Sequence, residues 1–108
     1  MGRKGDKHTS EVQAAADSLV ASISSLGDVT SKKMFGGHGI FHEGTMFGII
    51  DSSGKAFFKS NEFLIDRFEA AGSEKHGRMP YFSIPESVLN NQSELIEWAN
   101  TAIRGSKG

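Results

Sequence analysis

The sequence contains no cysteine. Disulfides, thiolate nucleophiles and cysteine-held zinc or iron–sulfur centres are thereby excluded, and the composition fits a cytoplasmic protein. Tyrosine and tryptophan occur once each against eight phenylalanines. The aromatics therefore read as core filler rather than as polar anchors. No apolar run approaches the length of a membrane span or of a signal-peptide core, so the expectation is a chain neither inserted nor exported. Charge of one sign is also lacking. The formal net charge of −1 argues against a strong nonspecific grip on nucleic acid, which needs several Lys and Arg facing phosphates. A local basic excess sits at the N-terminus, where Arg3, Lys4 and Lys7 face Asp6. It reads as a solvated, disordered leader over residues 1–9.

What is present is enough for one domain with a real core: 108 residues, 37% of them hydrophobic. From Ser10 to Leu26 the residues Val12, Ala16, Leu19, Val20, Ile23 and Leu26 fall at helical spacing. Ser10 with Gln13 has the form of a capping box, and Gly27 stands where a C-terminal cap belongs. After Lys32 the period changes to two. Short Gly-, Asp- and Ser-containing breaks at 42–45 and 51–54 mark hairpins, which gives antiparallel strands near 33–36, 38–42, 46–51 and 55–59. Within the last of these, Phe57 and Phe58 must point to opposite faces. One face then carries an aromatic beyond the reach of the first helix, which implies a second covering layer or a partner. A second helix is expected over Asn61–Ala71, stopped by Gly72, and a further strand over Met79–Ile84 between Pro80 and Pro85. Pro85 suits the first turn of a short helix through Leu89, and a last helix runs from Ser93 to Arg104. The pattern is an α+β fold: a two-layer arrangement with an antiparallel sheet of four to five strands, flanked by an N-terminal helix and C-terminal helices. Residues 105–108 read as a disordered tail.

The chemistry-bearing candidates are few. The run Met34-Phe35-Gly36-Gly37-His38-Gly39 places three glycines within four residues. A phosphate loop needs a helix immediately after such a turn. Ile40-Phe41-His42 alternates like a strand instead, so a bulge or tight strand connection is the favoured reading. His38 and His42 stand four apart, which on a strand separates them by roughly 13 Å, too far for one metal ion. Glu62, Asp66 and Glu69 share one side of the second helix, the usual arrangement of a solvated face. No nucleophile-elbow pattern is present. Lys32, Lys33, His38, Arg78 and Tyr81 form a candidate partner surface, combining basic and aromatic side chains of the kind that grip single-stranded nucleic acid or an acidic protein surface. The competing reading of the same residues is an edge strand guarded by charge.

Three segments taken together resemble one family: Lys33-Met34-Phe35-Gly36-Gly37-His38-Gly39-Ile40-Phe41, then Phe68-Glu69-Ala70-Ala71-Gly72-Ser73, then Met79-Pro80-Tyr81-Phe82-Ser83-Ile84-Pro85-Glu86. In this order and spacing they are similar to the N-terminal domain of the TfoX/Sxy family, over about residues 10–104. The signature positions are Met34, Phe35, Gly36, Gly37, Gly39, Phe68, Gly72, Met79, Tyr81 and Pro85. The resemblance implies a two-layer α+β domain. It also implies a bacterial regulator of natural competence, a coactivator working with the cyclic-AMP receptor protein at a subset of promoters. No catalytic or ligand residue is carried over with it. Two-domain members have a C-terminal domain that this sequence, ending at Gly108, is expected to lack. The function expected is a cytoplasmic, non-enzymatic protein-interaction domain in transcription regulation, with no cofactor, no metal and no membrane, and with weak direct nucleic-acid binding at most. The other class kept open is a dimeric chaperone-like or adaptor module that uses an exposed sheet face.

Overall fold

The computed structural model of the protein describes residues 4–34, 36–77 and 79–107. Two of the candidate residues, Phe35 and Arg78, lie outside the described residues. Helix α1 spans Lys4–Ser22, and a 3-10 turn over Ser24–Leu26 continues its stripe. Four strands follow: β1 Val29–Met34, β2 Gly37–His42, β3 Thr45–Ile50 and β4 Ala56–Lys59. Helix α2 covers Ile65–Ala71, β5 covers Tyr81–Ser83, α3 covers Glu86–Leu89 and α4 covers Gln92–Lys107. The strands form one antiparallel sheet in the order β1-β2-β3-β4-β5, with β1 and β5 at its edges. This is the α+β arrangement that the periodicities predict.

The core lies between the sheet and the helices. Val12, Ala16, Leu19 and Ile23 of the first stripe are buried against Ile40, Phe47, Ile50, Phe58 and, from α4, Leu95, Ala99, Ala102 and Ile103. Phe58 points into this core and Phe57 to the opposite face, as the alternation requires. A β-bulge sets the register of the inner face. Ile40 pairs with Gly48 whereas Phe41 pairs with Met46, which leaves Phe47 as the extra residue. The bulge turns Phe47 into the core, where its ring sits 5.8 Å from that of Phe58.

Several boundaries differ from expectation for identifiable reasons. Helix α1 starts at Lys4, so Ser10 is not its N-cap and residues 4–9 do not form a disordered leader. No proline interrupts that stretch, and the helix seeded by the apolar stripe extends back through it. Helix α4 likewise runs on to Lys107, through most of the expected tail, because Ile103 anchors its last turns in the core. Strand β1 begins at Val29 rather than Lys33. Its polar run Thr30-Ser31-Lys32-Lys33 carries no period-two signal because one edge of the strand and much of its surface face water. Helix α2 begins four residues after Asn61, whose carboxamide oxygen instead accepts from the Phe63 and Leu64 N–H groups at 2.8 and 3.1 Å. Pro85 is the N-cap of α3 rather than a residue of its first turn.

Candidate partner-binding face

The outer face of the sheet is built from every second residue of the strands. Ile49, Phe57 and Tyr81 form its buried bed, with Met46 and Met79 packed against them. Among the described residues, every buried side chain of the four helices belongs to the main core. Among the described residues, therefore, no helix lies on this face. Its cover consists of flexible side chains and the segment that leads into β5. That segment is held by backbone bonds from His76 N–H to the Tyr81 carbonyl at 2.8 Å and from Ser83 N–H to the Glu74 carbonyl at 2.8 Å. The His76 ring stands edge-on to Phe57, with centroids 4.8 Å apart.

The glycine run explains how one corner of this face is closed. Gly36 carries the connection from β1 to β2 at φ +76°, a backbone region that L side chains rarely adopt. Gly37 follows with its Cα against the end of β3, where a Cβ would collide with the Ile50 carbonyl oxygen. At Gly39 a Cβ would fall 2.6 Å from the Met34 sulfur and 2.9 Å from the Met46 sulfur. The missing side chain is what lets two methionines lie flat over β2. The run is thus a device of the sheet, in keeping with the strand reading, and the space it frees is filled by thioethers.

Beside it, a pocket of about 230 Å³ is lined by Ile49, Ile50, Asp51, Ser52, His76 and Met79. Asp51 organises the turn beneath. Its Oδ1 accepts from the Ser53 N–H at 2.9 Å, the Ser53 hydroxyl at 2.7 Å and the Lys55 N–H at 2.9 Å. Burial works to raise the Asp51 pKa, but these hydrogen bonds and the nearby His76 outweigh it, so the carboxyl titrates below its usual range. Burial pushes the Tyr81 phenol up. The basic side chains sit around the apolar bed. Lys32, opposite Gly39, and Lys59, opposite Tyr81, share the outer face. Lys55 lies 6.0 Å from the Phe57 ring centroid and pairs with Glu74 at 2.5 Å.

Of the residues grouped as a partner surface, Arg78 lies outside the described residues, and the other four do not come together. Lys33 pairs with His38, and both point to the helix side, with His38 only 4% exposed. Tyr81 is buried at the far edge of the sheet, four strand spacings (about 19 Å) from Lys32. Of the four described, Lys32 alone is both exposed and on the outer face. The residues that build that face and that the sequence did not single out are Met46, Ile49, Asp51 and His76. The alternation around Phe57 was their one available signal. Of the signature positions, Met34, Gly37, Gly39, Met79 and Tyr81 gather on this face or at its corner. Phe68 fills the core, stacked on Phe82 at 5.3 Å, and Gly72 caps α2 with a left-handed φ of 71°.

The other candidates are placed plainly. His38 and His42 share β2, and among the described residues no group of three or more metal-binding side chains converges. Glu62, Asp66 and Glu69 are exposed on and before α2, while Arg67 pairs with Glu97 at 3.4 Å and lies over the Trp98 ring. Among the described residues no helix is long and apolar enough to cross a membrane.

No curated protein shows a match to the chain. A family model described as the TfoX N-terminal domain matches residues 21–106, from the end of α1 through α4. The match takes in the whole sheet, the glycine run and the outer face, and leaves most of α1 beyond its start. The chain belongs to the TfoX N-terminal domain family.

Proposed function

We propose that this protein is a non-enzymatic, cytoplasmic regulatory domain that binds a protein partner through the outer face of its sheet, in transcription alongside the cyclic-AMP receptor protein. Family membership supports the regulatory setting. The observation that carries the binding face is the sheet surface without a helix, where Met34, Met46 and Met79 lie half-buried around a bed of Ile49, Phe57 and Tyr81. Unbranched thioether side chains re-pack against differently shaped surfaces, which suits a docking face. Lys32 and Lys59 on the same side favour a partner presenting carboxylates. With a net charge of −1, direct nucleic-acid binding is weak at most.

The test is affinity capture on the immobilised chain from a bacterial extract containing RNA polymerase and the cyclic-AMP receptor protein. Enrichment of either is the expected result, with loss on the paired change K32E/M46E. Enrichment of neither removes the transcriptional reading. A second reading, a dimeric adaptor, is favoured by β1, a six-residue strand, standing at an edge of the sheet. Light scattering separates it: a mass twice that of the 11.7 kDa chain supports the adaptor, and a single-chain mass removes it.

A further inference from the structure

Two soft donors converge over the middle of β2. Gly39 faces outward, opposite Lys32 on β1 and Ile49 on β3. Met34 and Met46 stand diagonally from it on those neighbouring strands, opposite Gly37 and Phe41, a separation that long side chains span. Both lean over the glycine. A Cβ at Gly39 would lie 2.6 Å from the Met34 Sδ, 2.9 Å from the Met46 Sδ and 3.0 Å from the Phe41 Cε1. Thioethers from two different strands therefore reach one point at distances not far above a metal–sulfur bond of about 2.3 Å. Both methionines are half-buried, so the spot is shielded by side chains and still open to an ion from water.

The donor chemistry selects the ion. Thioethers are neutral and polarizable, so they hold soft monovalent ions such as Cu(I) and Ag(I), while imidazole and oxygen ligands suit the harder ones. The chain has no cysteine to compete for a soft ion. Among the described residues no set of three His, Asp or Glu side chains converges to hold a harder one. Cu(I) and Ag(I) are satisfied by two donors, and the strands on either side of Gly39 supply one sulfur each. The ion cannot occupy the Cβ position itself, which is a bond length from the Gly39 Cα. It sits above that point, and the unbranched methionine side chains adjust to close on it. Lys32 is exposed, and its long stem keeps the ammonium in water.

We infer that Met34 and Met46, spaced by Gly39, form a two-thioether site for a soft monovalent ion, Cu(I) or its redox-inert counterpart Ag(I). The ion binds without a change of oxidation state. The inference does not rest on the docking reading, because the site and its test need only this chain.

The experiment titrates the full chain, isotope-labelled at its methionine methyl groups, with Ag(I) in chloride-free buffer and with Cu(I) under anaerobic reduction. Of the four methionines, Met34 and Met46 are expected to shift together and to saturate at one ion per chain, with the other two unmoved. Zinc is expected to leave both signals in place. Met34→Leu and Met46→Leu conserve side-chain volume. Each is expected to weaken Ag(I) by roughly tenfold to a hundredfold, at least the loss that follows removal of an outer-shell partner. Gly39→Ala sets a methyl group against the ends of flexible side chains, which can move aside, so the variant is expected to fold and to lose the ion. Should it fail to fold, the leucine variants carry the test alone. Equal shifts at all four methionines, displacement of Ag(I) by equimolar zinc, or an affinity unmoved by Met34→Leu and Met46→Leu would each overturn the proposal. So would the absence of saturable binding at about 100 μM Ag(I).

Discussion

Asp51 holds more of the fold than its size suggests. Three donors converge on one of its oxygens, and the backbone closes the same turn with Asp51 N–H to the Lys55 carbonyl and Gly54 N–H to the Asp51 carbonyl, each at 2.9 Å. Asp51→Ala leaves those donors to water and is expected to destabilise the domain by about 1–2 kcal/mol, read by urea denaturation. The sign with pH follows from its lowered pKa. The unfolded chain binds the proton more readily than the folded one, so stability rises with pH across the acid window. The Asp51 contribution is complete above the ordinary carboxylate value of about 4 and disappears as the pH falls below it towards the folded value. Wild type and Asp51→Ala should therefore converge in stability on acidification, and a constant difference down to pH 2 would contradict the hydrogen-bonded carboxylate. Gly37 makes a separate point. A methyl group there meets backbone, which cannot move aside as a side chain can. Gly37→Ala is expected to cost about 3 kcal/mol and to lower Tm by roughly 10–20 °C in a thermal melt.

At the scale of elements, the joint between α2 and α4 rests on Asn61. Its oxygen caps the turn before α2, and its Nδ2 donates to the Thr101 carbonyl at 3.2 Å. Asn61→Ala removes both and is expected to destabilise by about 1–2 kcal/mol, with amide exchange rising in residues 61–65 before the rest. The elements differ in how far the sequence announces them. Helix α1 was legible from Val12, Ala16, Leu19 and Ile23 because one face is dry and the other wet. The hairpin at 42–45 was legible from its glycine, and the structure adds that Glu43 as well as Gly44 has positive φ, at 50° and 83°. Strand β1 was only half legible, since an edge strand of Thr, Ser and Lys alternates with nothing. The bulge at Phe47 left no trace in Met46-Phe47-Gly48-Ile49-Ile50, where every residue but glycine is apolar and either parity fits. That ambiguity is why the inner and outer faces could not be assigned beforehand, and why His38, which faces the core, was grouped with Lys32 on the outer face.

Over the whole molecule the sheet separates two unlike surfaces. The helix side exposes Asp17, Glu62, Asp66, Glu69, Glu94 and Glu97 together with Lys33, Arg67 and Arg104. The outer side presents Lys32 and Lys59 around a methionine-covered apolar bed. Composition alone argued only against nucleic acid and was silent on where a protein partner docks. On the reading proposed above, the partner docks on the uncovered side of the sheet. Amide hydrogen exchange on the chain, free and in complex with whichever partner is captured, tests it most directly. New protection is expected at residues 31–34, 45–49 and 57–59, with α2 and α4 unchanged. Protection confined to the helices, with those strands exchanging as in the free chain, would contradict it.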